Sequence, residues 1–148
     1  IITVTVEGWG TYEYSLDDGP RQASNIFEGV SLGQHEIHVW DIEGGVAFSC
    51  EELTIYPVMV IDYPLYFTPN GDGIHDTWNI VGLDGQPNAK IYIFDRYGKL
   101  LKQISSDGDG WDGTYNGKPL PSTDYWFSVE FLEQTAAKQF KAHFSLKR

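Results

Sequence analysis

At 148 residues the chain is long enough for one domain, or for two small ones near the lower limit for an independent core. Hydrophobic residues at 41% and aromatic residues at 15% exceed what a disordered chain carries and favour packed strands. The formal charge of −11 is uneven, ten acids and one base in residues 1–60 against eleven acids and nine bases in residues 61–148, which argues against nucleic acid and anionic membrane surfaces as partners.

Cys50 is the only cysteine, so the chain has no internal disulfide and no cysteine metal cluster. No stretch approaches the roughly 18 continuous apolar residues of a helical membrane span. The chain opens directly in strand-like sequence without a charged or apolar leader, and it reads as a piece cut from a longer protein.

Ile2, Val4 and Val6 alternate with Thr3, Thr5 and Glu7, the period of a strand with one buried face. Tyr12, Tyr14 and Leu16 repeat that alternation up to the turn Asp17-Asp18-Gly19-Pro20. Residues 24–30 suit a short crossing or edge segment, His35 to Asp41 alternates again, and Leu53-Thr54-Ile55-Tyr56 carries the last strand signal of this part. About five short strands between turns describe a small antiparallel sandwich. The i,i+3 spacing of His35 and His38 puts them on opposite faces of a strand, so they read as partly exposed strand residues rather than a metal pair. Cys50 reads as a small buried or edge residue, and Glu43, Glu51 and Glu52 as solvated surface.

Pro57 and Pro64 bracket the point where the charge balance changes, which places a domain boundary within 57–62 and divides the chain into 1–60 and 61–148. Beyond it the strand-like Thr77–Val81 precedes a turn through residues 82–88. The run from Ile91 to Leu101 reads as a strand, a tight turn at Tyr97-Gly98-Lys99, and a second strand into Ile104, a hairpin. Tyr115-Asn116-Gly117-Lys118-Pro119 makes a further turn, and residues 125–131 and 140–146 supply two closing strands.

The stretch Phe67 to Trp78 sets Pro69, Asn70, Gly71, Asp72, Gly73 and Asp76 between two apolar runs. Pro69 fixes its own φ and the two glycines tolerate positive φ, so this is a tightly shaped loop. Asn70, Asp72 and Asp76 stand at relative positions 1, 3 and 7, part of the spacing of an oxygen-ligand calcium loop, but no acid precedes them at Thr68 and no bidentate Glu closes the set. The competing reading is a structural turn in which the same side chains accept backbone N–H groups. Asp107, Asp109 and Asp112 crowd around Trp111 as a second acid cluster, without the cleft that paired glycosidase carboxylates need. Trp111, Tyr125, Trp126 and Phe127 could line a sugar platform, yet strand alternation sends neighbours to opposite faces and favours packing.

Four motifs in order carry a resemblance: Phe67-Thr-Pro-Asn-Gly-Asp-Gly-Ile-His-Asp76, Ile91-Tyr-Ile-Phe-Asp-Arg-Tyr-Gly-Lys99, Trp111-Asp-Gly-Thr-Tyr-Asn-Gly-Lys118, and Pro121 through Trp126. Together they resemble the gliding-motility-associated C-terminal domain of Bacteroidota, the type B sorting domain of the type IX secretion system. The matching positions include Pro69, Asn70, Gly71, Asp72, Gly73, Asp76, Phe94, Gly98, Trp111, Asp112 and Gly113. The departures are His75, where asparagine is common, and Thr123, where glycine is usual. The resemblance implies a non-catalytic β-sandwich that directs upstream cargo through the outer membrane, aided by an outer-membrane partner of the porin-like gliding-protein family. Residues 10–41 with Cys50 resemble an immunoglobulin-like adhesin repeat that serves as a stalk, with Gly44-Gly45-Val46 as a departure.

The expectation is therefore an all-β chain of two tandem antiparallel β-sandwiches: an immunoglobulin-like stalk repeat at 1–60 and a sorting domain at 61–148, secreted or held at the cell surface and without enzymatic activity. Arg96, Tyr97 and Lys99 at the hairpin tip are the expected translocon contact, the competing reading being that Tyr97 packs over the next strand. Calcium at Asn70, Asp72 and Asp76 is the one cofactor considered. The alternative function is a cell-surface adhesive or carbohydrate-binding module.

Overall fold

The computed structural model describes residues 1–43 and 52–148. Cys50, Glu51 and the Gly44-Gly45-Val46 departure lie outside the described residues. Those described form strands and no helix: β1 (Ile2–Thr3), β2 (Tyr12–Leu16), β3 (Ile26–Phe27), β4 (Gly33–Asp41), β5 (Leu53–Val60), β6 (Tyr66–Phe67), β7 (Lys90–Phe94), β8 (Leu100–Ser105), β9 (Thr114–Tyr115), β10 (Lys118–Pro119), β11 (Thr123–Glu133) and β12 (Ala136–Leu146). The all-β expectation holds.

In the first part β2, β4 and β5 make an antiparallel sheet, and β1 pairs with β3. Alternation along β4 buries Gly33, His35, Ile37 and Val39 and leaves Gln34, Glu36 and His38 half-buried, the period-2 pattern of a one-sided sheet. Ile37 and Val39 pack with Val4, Tyr14 and Phe27. The strand expected through Val6 stops at Thr3. Val4 N–H donates to the Asn25 carbonyl at 2.9 Å, and Asn25 Nδ2 returns a bond to the Val4 carbonyl at 2.8 Å, so a side-chain amide replaces the ladder there. His35 is buried rather than partly exposed, because its register falls on the core face; its Nδ1 lies 2.9 Å from Asp17 Oδ2 and its Nε2 lies 3.0 Å from the Ser31 carbonyl.

In the second part a five-stranded sheet runs in the order β6-β12-β11-β7-β8. One face carries Phe67, Ile91, Ile93, Ile104, Tyr125, Phe127, Val129, Phe144 and Leu146, all buried. The layer over that face is irregular: it consists of Trp78, Ile80, Leu83, Ala89 and Trp111, contributed by connecting segments. Trp78 stacks on Phe144 at 4.0 Å between ring centroids, and Trp111 meets Tyr125 edge to face at 5.1 Å. The strand expected over Thr77–Val81 is reduced to isolated bridges, Trp78 with Trp111 and Val81 with Asp62. Between them Asn79 Nδ2 donates to the Ser105 and Gly108 carbonyls at 3.1 Å each, which pins the segment to a loop instead of a ladder.

β5 touches both cores. Its alternation sends Val58 into the first cluster and Met59 against the second. Gln134 N–H donates to the Pro57 carbonyl at 3.0 Å, and Asp62 and Val81 exchange backbone bonds of 3.0 and 2.9 Å. Nearby, buried Gln86 closes a reciprocal pair with Leu132, Nε2 donating to its carbonyl at 2.8 Å and Oε1 accepting its N–H at 3.0 Å. A side chain thereby satisfies backbone groups at the far end of β11.

Candidate functional site

The β7–β8 hairpin turns through Asp95–Lys99, and the carboxylate of Asp95 organises it. Asp95 Oδ1 accepts the N–H groups of Tyr97 at 2.8 Å and Lys99 at 2.9 Å, while Gly98 N–H donates to the Asp95 carbonyl at 3.0 Å. Gly98 sits at φ 80°, a conformation that only a residue without Cβ adopts without strain. With the acid turned inward, the tip projects Tyr97, which is 86% exposed. Tyr97 does not pack over β8.

The other two tip residues hold the turn against the start of β11 and against β9. Arg96 Nη2 donates to Thr123 Oγ1 at 2.8 Å, and Lys99 Nζ lies 4.4 Å from the centre of the Tyr115 ring. A groove of about 500 Å³ opens between tip and loop, walled by Tyr97, Leu101, Tyr115 and Leu120. Thr123, which departs from the expected glycine, starts β11 and receives the Arg96 bond.

In the 67–76 loop the side chains of Asn70, Asp72 and Asp76 are turned onto the loop itself. Asp76 accepts three N–H donors: Asn70 at 3.0 Å and Gly71 at 2.7 Å on Oδ1, and Gly73 at 2.7 Å on Oδ2. Asp72 Oδ1 accepts Ile74 N–H at 2.8 Å, its Oδ2 accepts Asn70 Nδ2 at 2.9 Å, and Asn70 Oδ1 accepts Asp72 N–H at 3.1 Å. Gly71 and Gly73 stand at φ 80° and 84°, which aims successive N–H groups at one carboxylate. Calcium at Asn70, Asp72 and Asp76 would have to compete with these donors. No group of three or more His, Cys, Asp or Glu side chains among the described residues is placed to hold a metal ion.

The Gly71 and Gly73 N–H bonds hold the Asp76 carboxyl below its ordinary range, and the Thr114 hydroxyl does the same for Asp112. A folded-state pKa below the unfolded value contributes stability that is fully present above the unfolded pKa, about 3.9 for aspartate, and is lost as pH falls through the folded value. Asp76→Asn is accordingly expected to lower the melting temperature at pH 7, with the difference from the parent chain closing progressively below about pH 4. A difference of equal size at pH 7 and pH 2 would contradict it.

The third motif is core and turn. Trp111 is 1% exposed, with Nε1 donating to the Thr114 carbonyl at 2.9 Å. Asp112 Oδ1 accepts the Thr114 N–H at 3.0 Å and its hydroxyl at 2.7 Å, and Gly113 adopts φ 78°. Asn116 and Gly117, both at positive φ, close the β9–β10 hairpin, as an Asn-Gly pair predicts. Phe94 lies half-buried on the outer side of β7.

Arg148 ties these motifs together, and sequence reasoning missed it. Its Nε donates to the Leu120 carbonyl at 3.0 Å, its Nη1 to Pro69 at 3.1 Å and its Nη2 to Gly113 at 3.1 Å. One guanidinium thus bonds to three separate segments, which its five donors in a fixed fork allow. A basic residue following a strand carries no sequence signal of that role.

A sheet covered on one side, shaped loops locked by Asx turns, and a projecting aromatic at a braced tip make up this all-β module. The family described as the CHU_C type IX secretion signal domain matches residues 61–146, and the chain belongs to that family. A domain of this kind is a sorting signal, directing its protein to the cell surface or beyond through recognition by the type IX machinery. No curated protein and no solved structure matches the chain.

Proposed function

We propose that residues 61–148 carry an upstream cargo across the outer membrane by docking on a component of the type IX translocon, together with a porin-like outer-membrane partner, and that residues 1–60 act as an immunoglobulin-like stalk. The family match supports the sorting role, and the two buried clusters, meeting at β5, support the division near residue 60. The observation that carries the docking surface is Tyr97, held out by the Asp95-centred turn between Arg96 and Lys99. Tyr and Arg, supplied here by Tyr97 and Arg96, are the residue types enriched among the hot spots of protein interfaces. The module performs no chemistry in this reading.

The test is a fluorescent cargo with a Sec-type signal fused to residues 1–148, or to residues 61–148, in a gliding Bacteroidota strain. Fluorescence at the surface or in the medium is expected from both fusions and is expected to disappear in a strain lacking the translocon. Tyr97→Ala is expected to cut export at least about tenfold with an unchanged melting temperature, since its side chain supports no core. Full export by that variant would remove the tip from the mechanism.

The 67–76 loop serves this function as a shape rather than as a metal site. Its melting temperature is expected to be the same in millimolar calcium and in chelator, because the carboxylates already hold N–H donors. A rise in calcium would assign Asn70, Asp72 and Asp76 to the ion after all.

A further inference from the structure

The outer face of the five-stranded sheet carries a second surface, which reaches the hairpin turn at Asp95, Arg96 and Gly98 but not Tyr97. The register of β11 with its neighbours sets Trp126 between Phe94 and His143, and Ser128 between Tyr92 and Lys141. Ser128 is the smallest side chain of this group, so a dip forms over it, and the result is a groove of about 590 Å³ lined by Tyr92, Phe94, Trp126 and Ser128. Trp126 is 40% exposed on this open side. Trp111, Tyr125 and Phe127 are buried in the core instead, so the aromatic surface is made of rings that the sequence did not group.

Two properties select the ligand. First, Ser128 is 4% exposed, and its Oγ is the one buried side-chain N or O atom among the described residues without a hydrogen-bond partner. An unsatisfied hydroxyl beneath an aromatic groove favours a ligand that brings its own hydroxyls, admitted as the flexible Lys141 chain beside it shifts. Second, Arg96 and Lys141 around the groove are matched by Asp95 and Glu130, so it favours neither an anion nor a cation. A protein partner of ordinary affinity covers about 800 Å² a side. Beyond the rings this face turns to Lys90, Glu130, Gln139 and Lys141, and the volume falls in the range of about 300–1,000 Å³ typical of small-ligand sites.

We infer that this face binds a neutral saccharide, one pyranose ring stacking its apolar C–H face on Trp126 and the neighbouring aromatics while a ring hydroxyl pairs with Ser128 Oγ. Aromatic faces carry negative potential that attracts polarised C–H groups, and the rim supplies donors and acceptors for the outward hydroxyls.

The test is a set of ¹⁵N–¹H titrations of the 148-residue chain with cellohexaose, mannohexaose and N-acetylchitohexaose, each up to about 10 mM, a range that detects millimolar affinity. At least one is expected to shift the Trp126 indole and the amides of Tyr92, Ser128 and Lys141. Trp126→Ala is expected to weaken binding at least about tenfold. Ser128→Ala is expected to weaken it about threefold while leaving the melting temperature equal or higher, because it removes an unpaired buried hydroxyl. Tyr97→Ala is expected to leave saccharide binding unchanged. Silence of this face toward all three sugars, or shifts that survive Trp126→Ala, would overturn the assignment. So would shifts produced by protein concentration alone, which would make the face a contact between copies of the chain.

Discussion

Replacing Trp111 with alanine is expected to cost about 3–5 kcal/mol of folding stability, while the same change at Trp126 is expected to cost less than about 1 kcal/mol. Trp111 is 1% exposed and packs against Phe67, Tyr125 and Phe144. Its Nε1–H bond to Thr114 holds the turn that follows. Removing the ring leaves a cavity in an irregular cover layer that has no ladder of its own to hold it closed, since Trp111 and Trp78 make an isolated bridge. Against a typical total of about 5–15 kcal/mol this is a large share, so the export fusion carrying Trp111→Ala is expected to be degraded before it is secreted. Urea denaturation of the two variants checks the contrast. Similar losses at both positions would mean that the core is not divided between the faces of β11 as described.

Gly82→Ala is expected to destabilise the chain by about 3 kcal/mol or more and to loosen the contact between its two parts. Gly82 sits at φ +89°, where an L residue pays roughly 1–2 kcal/mol. A Cβ there would also fall 2.4 Å from the Val60 carbonyl oxygen, so the backbone at the end of β5 must move. That movement breaks the reciprocal Asp62–Val81 bonds beside it. Hydrogen exchange is expected to show lost protection at the Asp62 and Val81 amides, with β11 and β12 still protected from one another. Gly71→Ala is the control: its φ of +80° is similar but nothing lies within 4 Å of the added methyl, so only the backbone strain of about 1–2 kcal/mol applies. Equal effects at the two glycines would show that the approach of Gly82 to β5 does not matter.

Much of the candidate surface was legible in the chain. Tyr97-Gly98-Lys99 named the tip because a glycine between two short alternating segments has few other uses, and Asn116-Gly117 named a turn, which the structure closes as the β9–β10 hairpin. Asx-type side chains in the Phe67–Asp76 stretch reach partners within a few residues, so the structural alternative to calcium could be stated from the spacing alone. Thr77–Val81 was less legible. Its residues suit a strand, and whether a strand forms depended on Asn79 finding distant carbonyls at 105 and 108.

The sequence by itself determined the all-β class, the alternation of β4 and β11, the turns, and the motif order that marks the sorting family, because each rests on the two-residue period or on hydrogen bonds that close over a few residues. Only the tertiary structure decided that β5 contacts both cores, that Arg148 joins the loops at 69, 113 and 120, and that Trp126 faces outward with Tyr92 and Phe94 around the unpaired hydroxyl of Ser128. Those arrangements bring together residues far apart in the chain. Periodicity says that a strand has two faces, and strand order and register decide which neighbours share each one.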